Sequence, residues 1–97
     1  MIMGQQRPES RGFTKCLKAV ANERRVRILQ LLLRSPRMRV GDVASAIRLS
    51  MKSTSKHLLK LAECDLVERE QVSLDVIYRV NRQHPLIQSI LKHLIPK

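Results

Sequence analysis

From Phe13 the apolar positions recur at three- and four-residue intervals, and Cys16, Leu17, Val20 and Ala21 predict a short first helix ending near Asn22. Asn22 suits the cap of the next helix, and Glu23 suits the positive end of its dipole. That second helix, over 23–34, carries Val26, Ile28, Leu29, Leu31, Leu32 and Leu33, an apolar band broad enough to make it the central core helix. Ser35-Pro36 ends it, because proline disfavours helix at the preceding residue and has no N–H to donate. "RMRV" reads as a small edge strand, and Val43, Ala44 and Ile47 mark a third helix over 41–47. After the three-residue break "RLS", with Ser50 as N-cap, a fourth helix runs over 51–64. Two helices joined by so short a turn make a helix-turn-helix.

Past Asp65 the period changes to two. "LVERE" and "VIYRV", separated by "QVSLD", predict a hairpin that lacks an Asn-Gly turn signal. Helical period returns in "HPLIQSILKHLI", with Pro85 in the first turn and Leu86, Ile87, Ile90, Leu91, Leu94 and Ile95 forming one wide stripe. The fold class is therefore mainly α with a small β-hairpin, the hairpin following the helix-turn-helix. Residues 1–12, polar and containing Gly4, Pro8 and Gly12, are read as a flexible arm, and residues 13–97 as the domain.

Composition sharpens this outline. Ninety-seven residues support one small domain. Lys and Arg number 19 against 8 Asp and Glu, a net charge of +11. Residues 1–60 hold fourteen basic and three acidic residues, whereas residues 61–97 hold five of each. Such an imbalance suits a polyanion, since each cation that meets a phosphate releases a condensed counterion; a solvated basic surface is the plainer alternative. No apolar run is long enough for a membrane span and the N-terminus lacks the apolar core of a signal peptide, so the expected setting is cytoplasmic with no membrane partner.

The chemistry lies in the fourth helix. At 3.6 residues per turn, Thr54, Leu58, Leu61 and Ala62 share one face, while Lys52, Ser53, Lys56 and Lys60 share the other. One face docks on the core, and the other offers cations and hydroxyls of the kind that read base edges and phosphates in a DNA major groove.

"LKAVANERRVRILQLLL", "VGDVASAIRLSMKSTSKHLLKLAECDLVERE" and "VIYRVN" together resemble the ArsR-type winged helix-turn-helix repressors over about residues 14–81. The resemblance implies that the helix after the turn enters the major groove, the hairpin wing lies along the backbone, and the first and last helices pair two subunits. Carried over residue by residue, the recognition positions are Met51, Lys52, Ser53, Ser55, Lys56 and His57, to which the helix periodicity adds Lys60. His57 needs no catalytic role; a backbone or phosphate donor or a packed side chain is expected. Leu17, Val20, Leu86, Ile87, Ile90, Leu91 and Leu94 are the expected dimerisation residues. The implied partners are a second copy of the chain and double-stranded DNA carrying an inverted-repeat operator.

The sequence departs from the family pattern in four places. Arg39 and Gly41 occupy the positions of the metal-sensing Cys-x-Cys pair, and His84 and His93, nine apart, have no carboxylate beside them, so neither metal nor other cofactor is expected. Arg48 stands where a turn glycine is frequent, a strained choice if the backbone is left-handed. Glu68, Glu70 and Asp75 put carboxylates in the wing, where they would face phosphate and weaken its contribution. Cys16 and Cys64, 48 apart and outside any CxxC spacing, read as small buried apolar residues, with a redox pair as the alternative.

A winged-helix protein-interaction module is the competing function. With Phe13 and Tyr78 as the sole aromatics, base stacking on RNA is disfavoured. No phosphate loop, carboxylate pair or nucleophile-base arrangement points to an enzyme.

Overall fold

The computed structural model describes residues 8–93, with side chains from residue 12 onward. Five helices and three strands follow in the order α1 (Pro8–Val20), α2 (Glu23–Arg34), β1 (Met38–Arg39), α3 (Val40–Ile47), α4 (Met51–Glu63), β2 (Val67–Val72), β3 (Asp75–Val80) and α5 (Pro85–His93). The strands form an antiparallel sheet of order β1-β3-β2, in which Met38 faces Tyr78 and Glu68 faces Arg79. None of the described helices is long and apolar enough to cross a membrane.

The helix ends follow from local chemistry. Asn22 accepts at its side-chain oxygen from the Arg25 N–H at 3.1 Å, satisfying one orphan donor of α2, and Ser50 does the same for α4 through the Ser53 N–H at 3.1 Å. His84 Nδ1 takes the Leu86 N–H at 3.1 Å at the start of α5. The core centres on α2, whose Ile28, Leu29 and Leu32 are fully enclosed, together with Val43, Leu58, Leu61, Leu66 and Ile87. Each such side chain contributes about 1.5–3 kcal/mol by leaving water.

Three expectations need correction. The first helix begins at Pro8 rather than Phe13, so residues 8–12 belong to it and not to an arm; residues 1–7 lie outside the described residues. Proline at the opening position loses no helical hydrogen bond, and its fixed φ favours a start there. The hairpin loop is shorter than "QVSLD": Gln71, Val72 and Asp75 are all in the ladder, and Ser73 and Leu74 alone make the turn. Ser73 supplies the positive φ of 57° that a tight hairpin turn needs and that glycine would adopt without strain. Finally, Ile87 and Ile90, expected at a dimer face, are 0% and 4% exposed within the single chain and are spent on its own core. Leu17 is 46% exposed, and Val20, Leu86 and Leu91 are half-buried, whereas Leu94 lies outside the described residues.

Candidate nucleic-acid interface

α3 and α4 are joined by Arg48, Leu49 and Ser50. Arg48 adopts φ 58° and ψ 49°, the left-handed conformation anticipated for the glycine-like position, and its N–H still reaches the Ala44 and Ser45 carbonyls. That turn sets α4 down with Thr54, Leu58 and Leu61 buried against the core. Lys52, Lys56 and Lys60 are thereby exposed on the opposite side, with Met51 also outward and Ser53, Ser55 and His57 half-buried. The outer two lysines are eight positions apart, a span of about 12 Å at helical rise. No carboxylate sits in the first turn of α4, so its positive end is left uncompensated. The first acidic residue along the helix is Glu63, which pairs with Lys15 at 3.7 Å.

His57 is held from behind. Arg25 NH1 approaches its Nδ1 at 3.3 Å, while Arg25 Nε donates to the Ala19 carbonyl at 2.7 Å. A guanidinium has only donors, so Nδ1 must accept, which puts the ring proton on Nε2. Burial, then Arg25, then Arg24 hold the His57 pKa below its ordinary 6.5, favouring this neutral form. Arg25 therefore serves as a brace for the recognition helix, a pairing absent from the sequence analysis. A separation of 32 positions leaves no local signal for it.

The carboxylates of the wing are paired. Each of its carboxylates has an arginine: Glu68 with Arg79 at 3.2 Å, Glu70 with Arg37 at 3.2 Å and Asp75 with Arg39 at 3.5 Å. These exposed pairs add little stability, but they cancel the repulsion the acids would exert on a phosphate strand. Between the wing and the starts of α3 and α4 lies an open cleft of about 480 Å³ lined by Arg39, Gly41, Met51, Ser55 and Leu74 among others.

Arg39 is engaged with Asp75 and caps α3 without a side-chain bond, and His93 bonds the Ser89 carbonyl at 2.9 Å. No group of three or more metal-ligating side chains occurs among the described residues.

This geometry can be set beside known proteins. A sequence profile for bacterial regulatory proteins of the arsR family matches residues 22–69, which run from the α2 cap through the recognition helix into the wing. The transcriptional activator HlyU of Vibrio cholerae serotype O1 is 38% identical over 65 residues, a stretch covering 67% of this chain and 59% of that one. The solved structure of HlyU from V. cholerae N16961 superposes with a TM-score of 0.75 at 30% identity, covering 92% of this chain and 94% of that one. The homodimeric winged helix-turn-helix DNA-binding domain of Mb0332 from Mycobacterium bovis gives 0.74 at 27% identity, covering 97% and 94%. With the fold, the recognition helix and the profile in agreement, the chain belongs to the ArsR family of bacterial regulatory proteins.

Proposed function

We propose that the protein is a homodimeric transcriptional regulator that binds an inverted-repeat operator in duplex DNA through the outer face of α4. The observation that carries the proposal is the division of that helix: Thr54, Leu58 and Leu61 are enclosed, whereas Lys52, Lys56 and Lys60 stand exposed with no acid among them. A groove-reading helix needs such a division, because base edges and phosphates ask for donors and cations on a rigid support. Ser53, Ser55 and the Nε2–H of His57 are the further donors of this face. The neutralised wing adds backbone contacts without repulsion.

Dimerisation is proposed for α1 and α5. Leu17, Val20, Leu86 and Leu91 keep apolar surface outside the single-chain core, and a shallow cavity of about 200 Å³ lies between Val20, Leu86 and Ile90. Mb0332 is described as homodimeric. Two recognition helices related by a two-fold axis would meet half-sites roughly one helical turn, about 34 Å, apart.

The sign of regulation follows from operator position. Occupancy over a promoter represses, whereas occupancy that recruits polymerase activates, and HlyU is named a transcriptional activator. The metal-sensing thiolates of the family are replaced by Arg39 and Gly41, so the proposed regulator works without that metal site. A regulator of this kind acts where the DNA is, in the cytoplasm. The competing reading, a protein-interaction module, draws on apolar side chains that stand outside the core, Leu74 at 95% and Leu59 at 48% exposure. Selection of bound sequences from a random duplex pool separates the two: a palindromic consensus supports the regulator, and recovery of no consensus, with binding insensitive to salt, supports the module.

A further inference from the structure

Cys16 and Cys64 lie 48 positions apart, yet the fold brings them together. The Cys16 thiol of α1 donates to the Cys64 carbonyl at 3.5 Å, and Cys64 is the C-cap of the recognition helix. Both are free, and they are 8% and 7% exposed. Cys64, moreover, lines a cavity of about 210 Å³ whose other walls include Lys15, Lys18, Arg25, Lys60 and Glu63. Glu63 is already paired with Lys15, so cations dominate the lining. The DNA-reading face does not use the two thiols.

We propose that Cys16 and Cys64 form a thiol-disulfide exchange site for small anionic disulfides, with Cys64 as the entry sulfur and Cys16 as the resolving one. The cationic cavity draws in a disulfide bearing carboxylates, glutathione disulfide being the simplest probe. The Cys64 thiolate attacks one of its sulfurs; a new S–S bond forms, the old one breaks, and one glutathione leaves as thiolate and takes up the proton that Cys64 lost. Cys16 sulfur then attacks Cys64 sulfur, expelling the second glutathione, which receives the Cys16 proton. Two protein thiols are oxidised by two electrons, and one glutathione disulfide is reduced to two thiols.

The order of the steps follows from the surroundings. Burial, followed by the hydrogen bond to Cys64 and by the neighbouring Cys64 and Asp65 groups, pushes the Cys16 thiol up to about 12, so it is protonated at neutral pH and makes a poor first nucleophile. An adduct on Cys64 replaces the free thiol, and so removes the restraint that thiol places on Cys16 just when Cys16 must react. The product ties α1 to the end of α4 with a covalent bond, linking the proposed dimer helix to the recognition helix.

The test needs no DNA, so its result is independent of the function proposed above. The purified full chain is incubated with glutathione disulfide at mildly alkaline pH, followed by intact mass and a non-reducing digest. The site predicts a mass lower by two hydrogens, one peptide pair joined through Cys16 and Cys64, and reversal by dithiothreitol. Cys16→Ser should stop at a single glutathione adduct on Cys64, and Cys64→Ser should stay unmodified; Cys64→Ala replaces it if circular dichroism shows that serine unfolds the chain. Neutral hydroxyethyl disulfide should react several-fold more slowly than glutathione disulfide at low salt, and high salt should close the gap. A native chain that keeps both thiols while its urea-unfolded form reacts would overturn the proposal. So would two adducts without a cross-link, or equal rates for the neutral and the anionic probe.

Discussion

Arg25 and His57, one near the start of α2 and the other midway along α4, meet at 3.3 Å through the guanidinium NH1 and the imidazole Nδ1. The contact fixes the ring tautomer and couples the recognition helix to the core helix. It also makes protonation of His57 unfavourable in the folded chain, since a second cation would face Arg25 and Arg24.

A pH dependence follows. The folded His57 pKa lies below 6.5, so between those two values the unfolded chain binds more protons, and stability is present above about 6.5 and declines as pH falls through the folded pKa. Urea denaturation of the wild type from pH 7.5 to 5 should show this decline, and His57→Gln should flatten it. Identical slopes for the two proteins would remove His57 as its source.

Thr54 Oγ1 is buried on the core side of α4 without a hydrogen-bond partner. Thr54→Val keeps the shape and removes the unpaired hydroxyl, and should stabilise the fold by about 1 kcal/mol. A denaturant midpoint lower than that of the wild type would mean that the hydroxyl does have a partner.

The wing pairs predict an effect on DNA rather than on stability. Glu70→Gln releases Arg37, and because the pair is exposed the stability should change by less than about 0.5 kcal/mol. Affinity for duplex DNA should rise at low salt, with the salt slope steeper by up to about one per subunit. Unaltered affinity would place the wing away from the backbone.

For the dimer, Leu17→Glu puts a charge on a side chain that is 46% exposed in the single chain and so should leave the monomer folded. Its burial at an interface would cost about 2 kcal/mol or more. Light scattering should then report a lower mass at concentrations where the wild type is dimeric. A dimer mass that does not change moves the interface elsewhere.

Much of this architecture is legible in sequence wherever one local signal decides it. The second helix matches over Glu23–Arg34 because an asparagine cap and a Ser-Pro stop bracket it, and the helix-turn-helix matches because Ser50 announces α4. Pro8 carried a start signal too, but Gly12 and the polar residues around it obscured the helix. The wing pairings are hidden in sequence for a different reason. Whether Glu68 meets phosphate or Arg79 depends on strand register, and the two residues lie directly opposite one another only once the hairpin closes at Ser73 and Leu74. Burial of Ile87 and Ile90 within the chain is equally a tertiary fact, since a wide apolar stripe looks the same whether it covers its own core or a partner's.

The outer face of α4 as the DNA-reading surface is the central claim, and Lys56 is its most direct probe: exposed and without an acidic neighbour in its helix turn. Wild type and Lys56→Ala are titrated against the selected operator and a scrambled duplex across a series of salt concentrations. A loss of about 1–3 kcal/mol on the operator is expected, with a smaller loss on the scrambled duplex and a salt slope lower by about one per subunit. Affinity unchanged on both duplexes would contradict the claim, because a recognition helix cannot lose that cation without consequence.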